Sequence, residues 1–141
     1  MTEEPFAHVL KALKSRRMGY RPFIIHQNFC SRRNGKVSEL FIVYGTGGII
    51  QHEPGKARNL QPEETRQEEM IHVYSLMDMT AGKETDATHF RTADIIDPND
   101  GTYWRVVAVK EYGSDSNCFY QALAVRTDED PWERRKRNKE K

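Results

Sequence analysis

Thr102-Tyr103-Trp104-Arg105-Val106-Val107-Ala108-Val109-Lys110-Glu111-Tyr112, then Gly113-Ser114-Asp115-Ser116-Asn117, then Cys118-Phe119-Tyr120-Gln121-Ala122-Leu123-Ala124-Val125-Arg126 is the stretch on which the fold turns. Two runs rich in β-branched and aromatic residues flank a polar, glycine-containing segment. That is the pattern of a strand that turns and runs back beside itself. Just upstream, Asp94-Ile95-Ile96-Asp97 leads into Pro98-Asn99-Asp100-Gly101, four residues suited to a turn. Further back, Met70 to Met79 has strand character around Ile71, Val73, Tyr74 and Leu76, followed by a polar connection from Thr80 to His89.

The N-terminal half begins with a different period. Phe6, Val9, Leu10 and Leu13 fall at helical spacing, which predicts a short amphipathic helix from Phe6 to Arg17, stopped by Gly19. Tyr20 to Cys30 reads as extended, because Pro22 disfavours helix before it and Phe23, Ile24, Ile25 and Phe29 favour a strand. Asn34-Gly35 inside Ser31 to Lys36 is a strong hairpin signal, with Val37 to Tyr44 as the returning strand. Gly45-Thr46-Gly47-Gly48 then reads as a break or bulge, with Ile49 to His52 as a short continuation. Glu53 to Glu69 has no apolar period and contains Pro54, Gly55 and Pro62, so a long loop is expected there.

The expected fold is mostly β: a small β-barrel or sandwich with an N-terminal helix, long inter-strand loops and a basic C-terminal tail. The barrel is preferred because closure removes exposed edges. One domain spans residues 1–130, and residues 131–141 form the tail, outside the core, so that deleting residues 130–141 leaves the thermal transition nearly unchanged.

Composition narrows the class of function. The hydrophobic fraction is 37% and the charged fraction 30%, so the core is lean and suits a subunit that buries more surface on assembly. A net charge of +1 gives the whole chain no bias toward nucleic acid or an anionic membrane. Charge is nonetheless segregated near the end, where acidic Asp128-Glu129-Asp130 precedes the basic run from Glu133 to Lys141. Cys30 and Cys118 belong to no Cys-x-x-Cys pair, which predicts free thiols in a reducing cytoplasm. No run approaches the ~20 apolar residues of a membrane helix, and acidic Met1 to Pro5 lacks the features of a signal peptide, so no membrane partner is expected.

No catalytic template is complete, and no enzyme, cofactor or metal is expected. Gly45-Thr46-Gly47-Gly48 lacks the Lys-Ser/Thr of a phosphate loop. His8, His26, His52, His72 and His89 show no metal-ligand spacing, although His26, His72 and the cysteines could meet in space. Asp94, Asp97 and Asp100 cluster about a turn, where aspartates cap backbone amides more often than they do acid–base work. Cys30 has no neighbouring base in sequence.

Residues Met70 to Arg126 carry a resemblance. Met70-Ile71-His72-Val73-Tyr74-Ser75, Ala93-Asp94-Ile95-Ile96, Tyr103 to Val109, Glu111-Tyr112-Gly113 and Tyr120-Gln121-Ala122-Leu123-Ala124-Val125-Arg126 follow one another as strand and turn. The series resembles the head-closure proteins of tailed bacteriophages, also called stopper or connector proteins, although their turn is commonly shorter than Asp97 to Gly101. The resemblance implies a virion protein of the phage neck, assembled in the host cytoplasm. It implies a homo-oligomeric ring, hexameric by the same resemblance, between a portal-adaptor protein and a tail-terminator or tail-tube protein. Double-stranded DNA would pass through the lumen without sequence recognition.

Glu53, Lys56, Arg58, Glu63, Glu64 and Arg66 are then candidates for a loop facing the channel, and Arg134, Arg135, Lys136 and Arg137 for a docking arm. An assembly would also cover apolar side chains that a lean monomer leaves exposed, such as Trp104 or Trp132. Two other readings remain. One is an oligonucleotide-binding barrel that stacks single-stranded bases on Phe41, Tyr44, Tyr74, Tyr103, Trp104, Phe119 and Tyr120 beside Arg32, Arg33 and Arg105. The other is a different joint of the virion, such as a tail terminator.

Overall fold

The computed structural model describes residues 5–15, 19–52, 69–114 and 117–139. Helix α1 (Pro5–Ser15) precedes eight strands: β1 (Tyr20–Arg33), β2 (Lys36–His52), β3 (Met70–Ser75), β4 (Lys83–Glu84), β5 (His89–Arg91), β6 (Ile95–Asp97), β7 (Tyr103–Ser114) and β8 (Asn117–Thr127). Helix α2 (Pro131–Lys139) follows. Six strands close a barrel in the order β1-β2-β3-β8-β7-β6 and back to β1, each pair antiparallel. β5 and then β4 extend the sheet from the far part of β1. The expected closed barrel with its N-terminal helix is the observed architecture.

Local chemistry explains the longest elements. Asn34 and Gly35 both adopt positive φ, 54° and 76°, which a two-residue hairpin turn requires to match the twist of its strands. At the next glycines the strand does not break: β2 continues through Gly45-Thr46-Gly47-Gly48 to His52. Gly47 and Gly48 are needed for closeness instead of for a turn. A Cβ on Gly48 would strike the carbonyl oxygen of Tyr74 on β3, and one on Gly47 would lie 2.8 Å from the carbonyl oxygen of Arg21 on β1. The register of β7 against β8 shifts between Val106 and Ala108, leaving Val107 as a bulge. Such an extra residue sharpens the local bend, as closing a narrow barrel demands.

The barrel interior is filled by Ile25, Ile71, Val73, Ile96, Trp104, Val106, Ala122 and Ala124, all buried. On β3 the alternation is strict, with Ile71, Val73 and Ser75 inward. Each large aliphatic side chain so buried contributes about 1.5–3 kcal/mol. Trp104, expected at the surface, belongs to this core at 3% exposure, because its strand partner Ile96 faces inward too. α1 lies against β3 and β8 and buries Ala12 and Leu13.

The aspartates organise the connections. Asp97 Oδ1 accepts the amide of Asn99 at 2.9 Å, and Asp100 Oδ1 accepts the amide of Thr102 at 3.1 Å. Asp94 Oδ2 accepts the amide of Thr80 at 3.0 Å, which ties the connection after β3 to the start of β6. Burial pushes the Asp94 carboxyl up to about 6, against the opposing pull of the Arg91 guanidinium and the Thr80 amide. No described helix is long and apolar enough to cross a membrane.

Candidate functional site

β1 and β2 are longer than the barrel needs, and their surplus forms an arm. β6 pairs with β1 only at residues 24–26 and β5 only at 29–31, whereas β2 follows β1 along its whole length. β3 pairs with β2 only at residues 48–52. Residues 36–47 of β2 therefore have β1 on one side and no described strand on the other. An unpaired row of backbone N–H and C=O groups is a template for another strand.

Register assigns the two faces of the arm. Ile25, Gln27 and Phe29 lie opposite Tyr44, Ile42 and Leu40, so these share the face that continues the barrel interior. Leu40 is 61% exposed and Tyr44 51% exposed, next to the unpaired edge. Apolar side chains this exposed beside an open edge are what native sheets ordinarily avoid unless something covers them.

The opposite face carries His26, Asn28 and Cys30 with Val43, Phe41 and Glu39, and α2 lies across it. Asp130 Oδ1 accepts the amides of Trp132 at 2.9 Å and Glu133 at 3.3 Å, and Pro131 occupies the first turn, where its missing N–H costs nothing. Trp132 donates its indole N–H to Asp97 Oδ2 at 2.9 Å, and His26 Nε2 meets the same oxygen at 3.0 Å. The rings of His26 and Trp132 meet edge to face, 4.5 Å between centroids. Arg134 donates to Glu39 Oε1 at 2.9 Å and Glu129 Oε1 at 2.8 Å, with its guanidinium 5.5 Å above the Phe41 ring. Burial lowers the pKa of His26 despite the hydrogen bond and charge of Asp97 and the charge of Asp130, and Arg135 lowers it further. A cavity of about 20 Å³ lies between α2 and the sheet, lined by His26, Gln27, Phe41, Ile95, Glu129, Pro131 and Arg134. It has room for a single water.

The predicted site residues are distributed unevenly. Glu53, Lys56, Arg58, Glu63, Glu64 and Arg66, the candidates for a channel loop, lie outside the described residues. The basic segment from 131 is a helix in its described part, and its candidates divide by role. Arg134 turns inward and fastens α2 to the arm, Arg135 is partly buried, and Lys136 and Arg137 are exposed. The aromatics proposed as a stacking platform do not share one surface. Trp104 and Phe119 are buried, and Phe41 lies beneath Arg134. Tyr74 on the barrel exterior accepts from Gln121, whereas Tyr120 shares the inward face of Ser75. Among the described residues no three His, Cys, Asp or Glu side chains gather in a metal-binding group, and Cys30 and Cys118 carry free thiols.

The His26–Asp97–Trp132 seat is not visible in the sequence, since its members come from β1, β6 and α2. The only local signal for it is Asp130-Pro131, a cap and a first-turn proline ahead of Trp132. Comparisons with protein-family models, with curated proteins and with solved structures found no match for this chain.

Proposed function

We propose that this protein is a structural ring subunit of a tailed-phage neck, joining a portal-adaptor ring to the tail. The observation that carries the reading is the arm: a long hairpin whose β2 edge pairs with no described strand at residues 36–47 and whose Leu40 and Tyr44 stand exposed beside that edge. A subunit built to assemble needs such a surface, and strand addition along an open edge supplies main-chain hydrogen bonds to a neighbour. Heterologous contacts of this kind close into a ring when the rotation between copies allows. The sixfold count comes from the sequence resemblance alone.

The test is a pair of charge substitutions on the arm, Leu40→Glu with Tyr44→Glu, made in the phage genome that encodes the chain. Both side chains are exposed, so the isolated subunit keeps its circular dichroism spectrum and its cooperative melt. Particles should lose the subunit and fail to join tails. Tailed particles with the double variant at full occupancy would remove the reading.

A further inference from the structure

Cations collect at the outer end of the arm, with Glu133 the one carboxylate on α2 and Asp86 beside Thr88, whose carbonyl accepts the Arg32 amide. Arg33 and Lys36 are direct partners across the β1–β2 ladder, both exposed, with exposed Arg32 beside them. Arg135, Lys136 and Arg137 follow on α2. None of these six has a carboxylate partner among the described residues. Elsewhere Arg91 pairs with Asp94, Arg126 with Glu69, and Arg134 with Glu39 and Glu129, while Arg21 bonds the Pro98 carbonyl and Arg105 enters no ion pair among the described residues.

The two groups, a hundred residues apart in sequence, belong to one end of the molecule. Trp132 meets β1 at His26, and Arg134 reaches Glu39, whose partner on β1 is Cys30. The helix thus advances toward the hairpin tip, which lies three residues or about 10 Å beyond Glu39 at the rise of a strand. Arg32 and Arg134 both act through their charge on the Cys30 thiol, consistent with their flanking it. Arg32 shares the sheet face that carries α2, and Arg33 and Lys36 close the tip beyond it.

This arrangement costs the isolated fold. Like charges placed directly opposite on a ladder are destabilising, and Arg33 and Lys36 are such a pair. The fastening of α2 by Trp132 and Arg134 also holds its cations in place, where a free tail would disperse them. Arg32 is stacked over the Phe90 ring, 4.3 Å from its centroid, which leaves the N–H edge of the guanidinium for an oxyanion. Protein interfaces draw their strength from a desolvated apolar centre, and the exposed Leu40 and Tyr44 lie on the other face of the arm.

We infer that the hairpin tip and α2 form one surface for the phosphodiester backbone of duplex nucleic acid. The inference deepens the neck-ring reading, which puts duplex DNA within reach of the subunit. The protein touches phosphates, so recognition is independent of sequence.

The test uses the full chain and a fluorescein-labelled duplex of mixed sequence, with anisotropy read from about 50 to 200 mM salt. The wild-type chain binds at the low end, with an affinity that falls steeply as salt rises. Arg33→Glu with Lys36→Glu, and separately Lys136→Glu with Arg137→Glu, each weaken binding about tenfold or more. Each also flattens the salt dependence, by roughly one unit of slope for every phosphate that is no longer neutralised. Arg134 is left intact so that α2 stays fastened, and the partly buried Arg135 is not altered. Absence of binding at the lowest salt, or binding unchanged in both variants, overturns the inference. Capture of a labelled poly-glutamate peptide in place of the duplex overturns it too, in favour of an acidic protein partner. All three outcomes are read on the isolated subunit and leave the arm-edge test of ring assembly independent.

Discussion

Trp132 donates its indole N–H to Oδ2 of Asp97 at 2.9 Å, joining α2 to β6 across 35 positions of sequence. Trp132 is 39% exposed, so this contact works at the rim of the barrel and in partial solvent. Trp132→Phe keeps an aromatic ring against His26 and removes only the donor, at a cost of about 1 kcal/mol in urea unfolding. Trp132→Ala removes the ring as well and should cost more. With Trp104 buried in the core as the remaining tryptophan, the difference spectrum isolates the emission of Trp132. An unchanged urea midpoint in both variants would mean that α2 is not held by this contact.

His26 sets one pH dependence. Its pKa in the fold lies below 6.5, chiefly through burial, so folding favours the neutral ring. The stability it contributes is therefore present above 6.5 and is lost as pH falls below that value toward the lowered one. His26→Gln keeps a donor for Asp97 and cannot be charged. Urea melts should show the wild type losing ground to this variant as pH falls below 6.5. Parallel curves for the two proteins would contradict the assignment.

Asp94 acts in the opposite sense. Its folded pKa of about 6 stands above the ordinary 3.8, so its contribution is complete at low pH and is lost as pH rises through 6. The gap corresponds to something on the order of 3 kcal/mol. Asp94→Asn retains an acceptor for the Thr80 amide and has no charge to bury. It also removes the charge that Arg91 meets, so the informative quantity is the change with pH. Relative to wild type, the variant should be more favourable at pH 8 than at pH 4.5. A difference between the two proteins that stays constant with pH would show that the carboxyl titrates normally.

Gly48→Ala tests the passage of β2 past β3. The new methyl group strikes the Tyr74 carbonyl first, with the Phe23 ring at 3.3 Å, so the pairing at Gly48–Ser75 must give. A loss of more than about 2 kcal/mol is expected from such overpacking against main chain. Gly45→Ala, with nothing within 4 Å of its added carbon, serves as the control and should be nearly neutral. Equal effects of the two substitutions would rule out the close approach.

What can be read from the sequence follows the range of the interactions. Asn34-Gly35 and the alternation through Ile71 and Val73 are local signals, and both name their structure correctly. Gly47 and Gly48 look like punctuation in sequence because the Tyr74 carbonyl that demands them lies on another strand. Trp104 reads as a surface residue because aromatic residues on strands suit either face, and only its pairing with Ile96 decides. The basic run after Asp130 reads as a solvated tail because charge dominates its composition. Its helix depends on Asp97, Glu39 and Glu129, and Asp97 and Glu39 are distant in sequence. Its attachment also changes the expectation for truncation: removing residues 130–141 takes Trp132 from Asp97 and Arg134 from Glu39.

β6 is the short stave of the barrel. It contributes three residues to closure, held by β1 at Ile95 to Asp97 and by β7 at Ile95 and Ile96. Opening there breaks fewer ladder bonds than opening anywhere else in the ring of strands, so the barrel breathes along this seam first. Trp132 grips the last residue of that seam, which makes α2 a clasp across it. In a chain ending at Asp130, amide hydrogens of Ile95 to Asp97 would exchange with solvent faster, while those of the β7–β8 hairpin keep their protection.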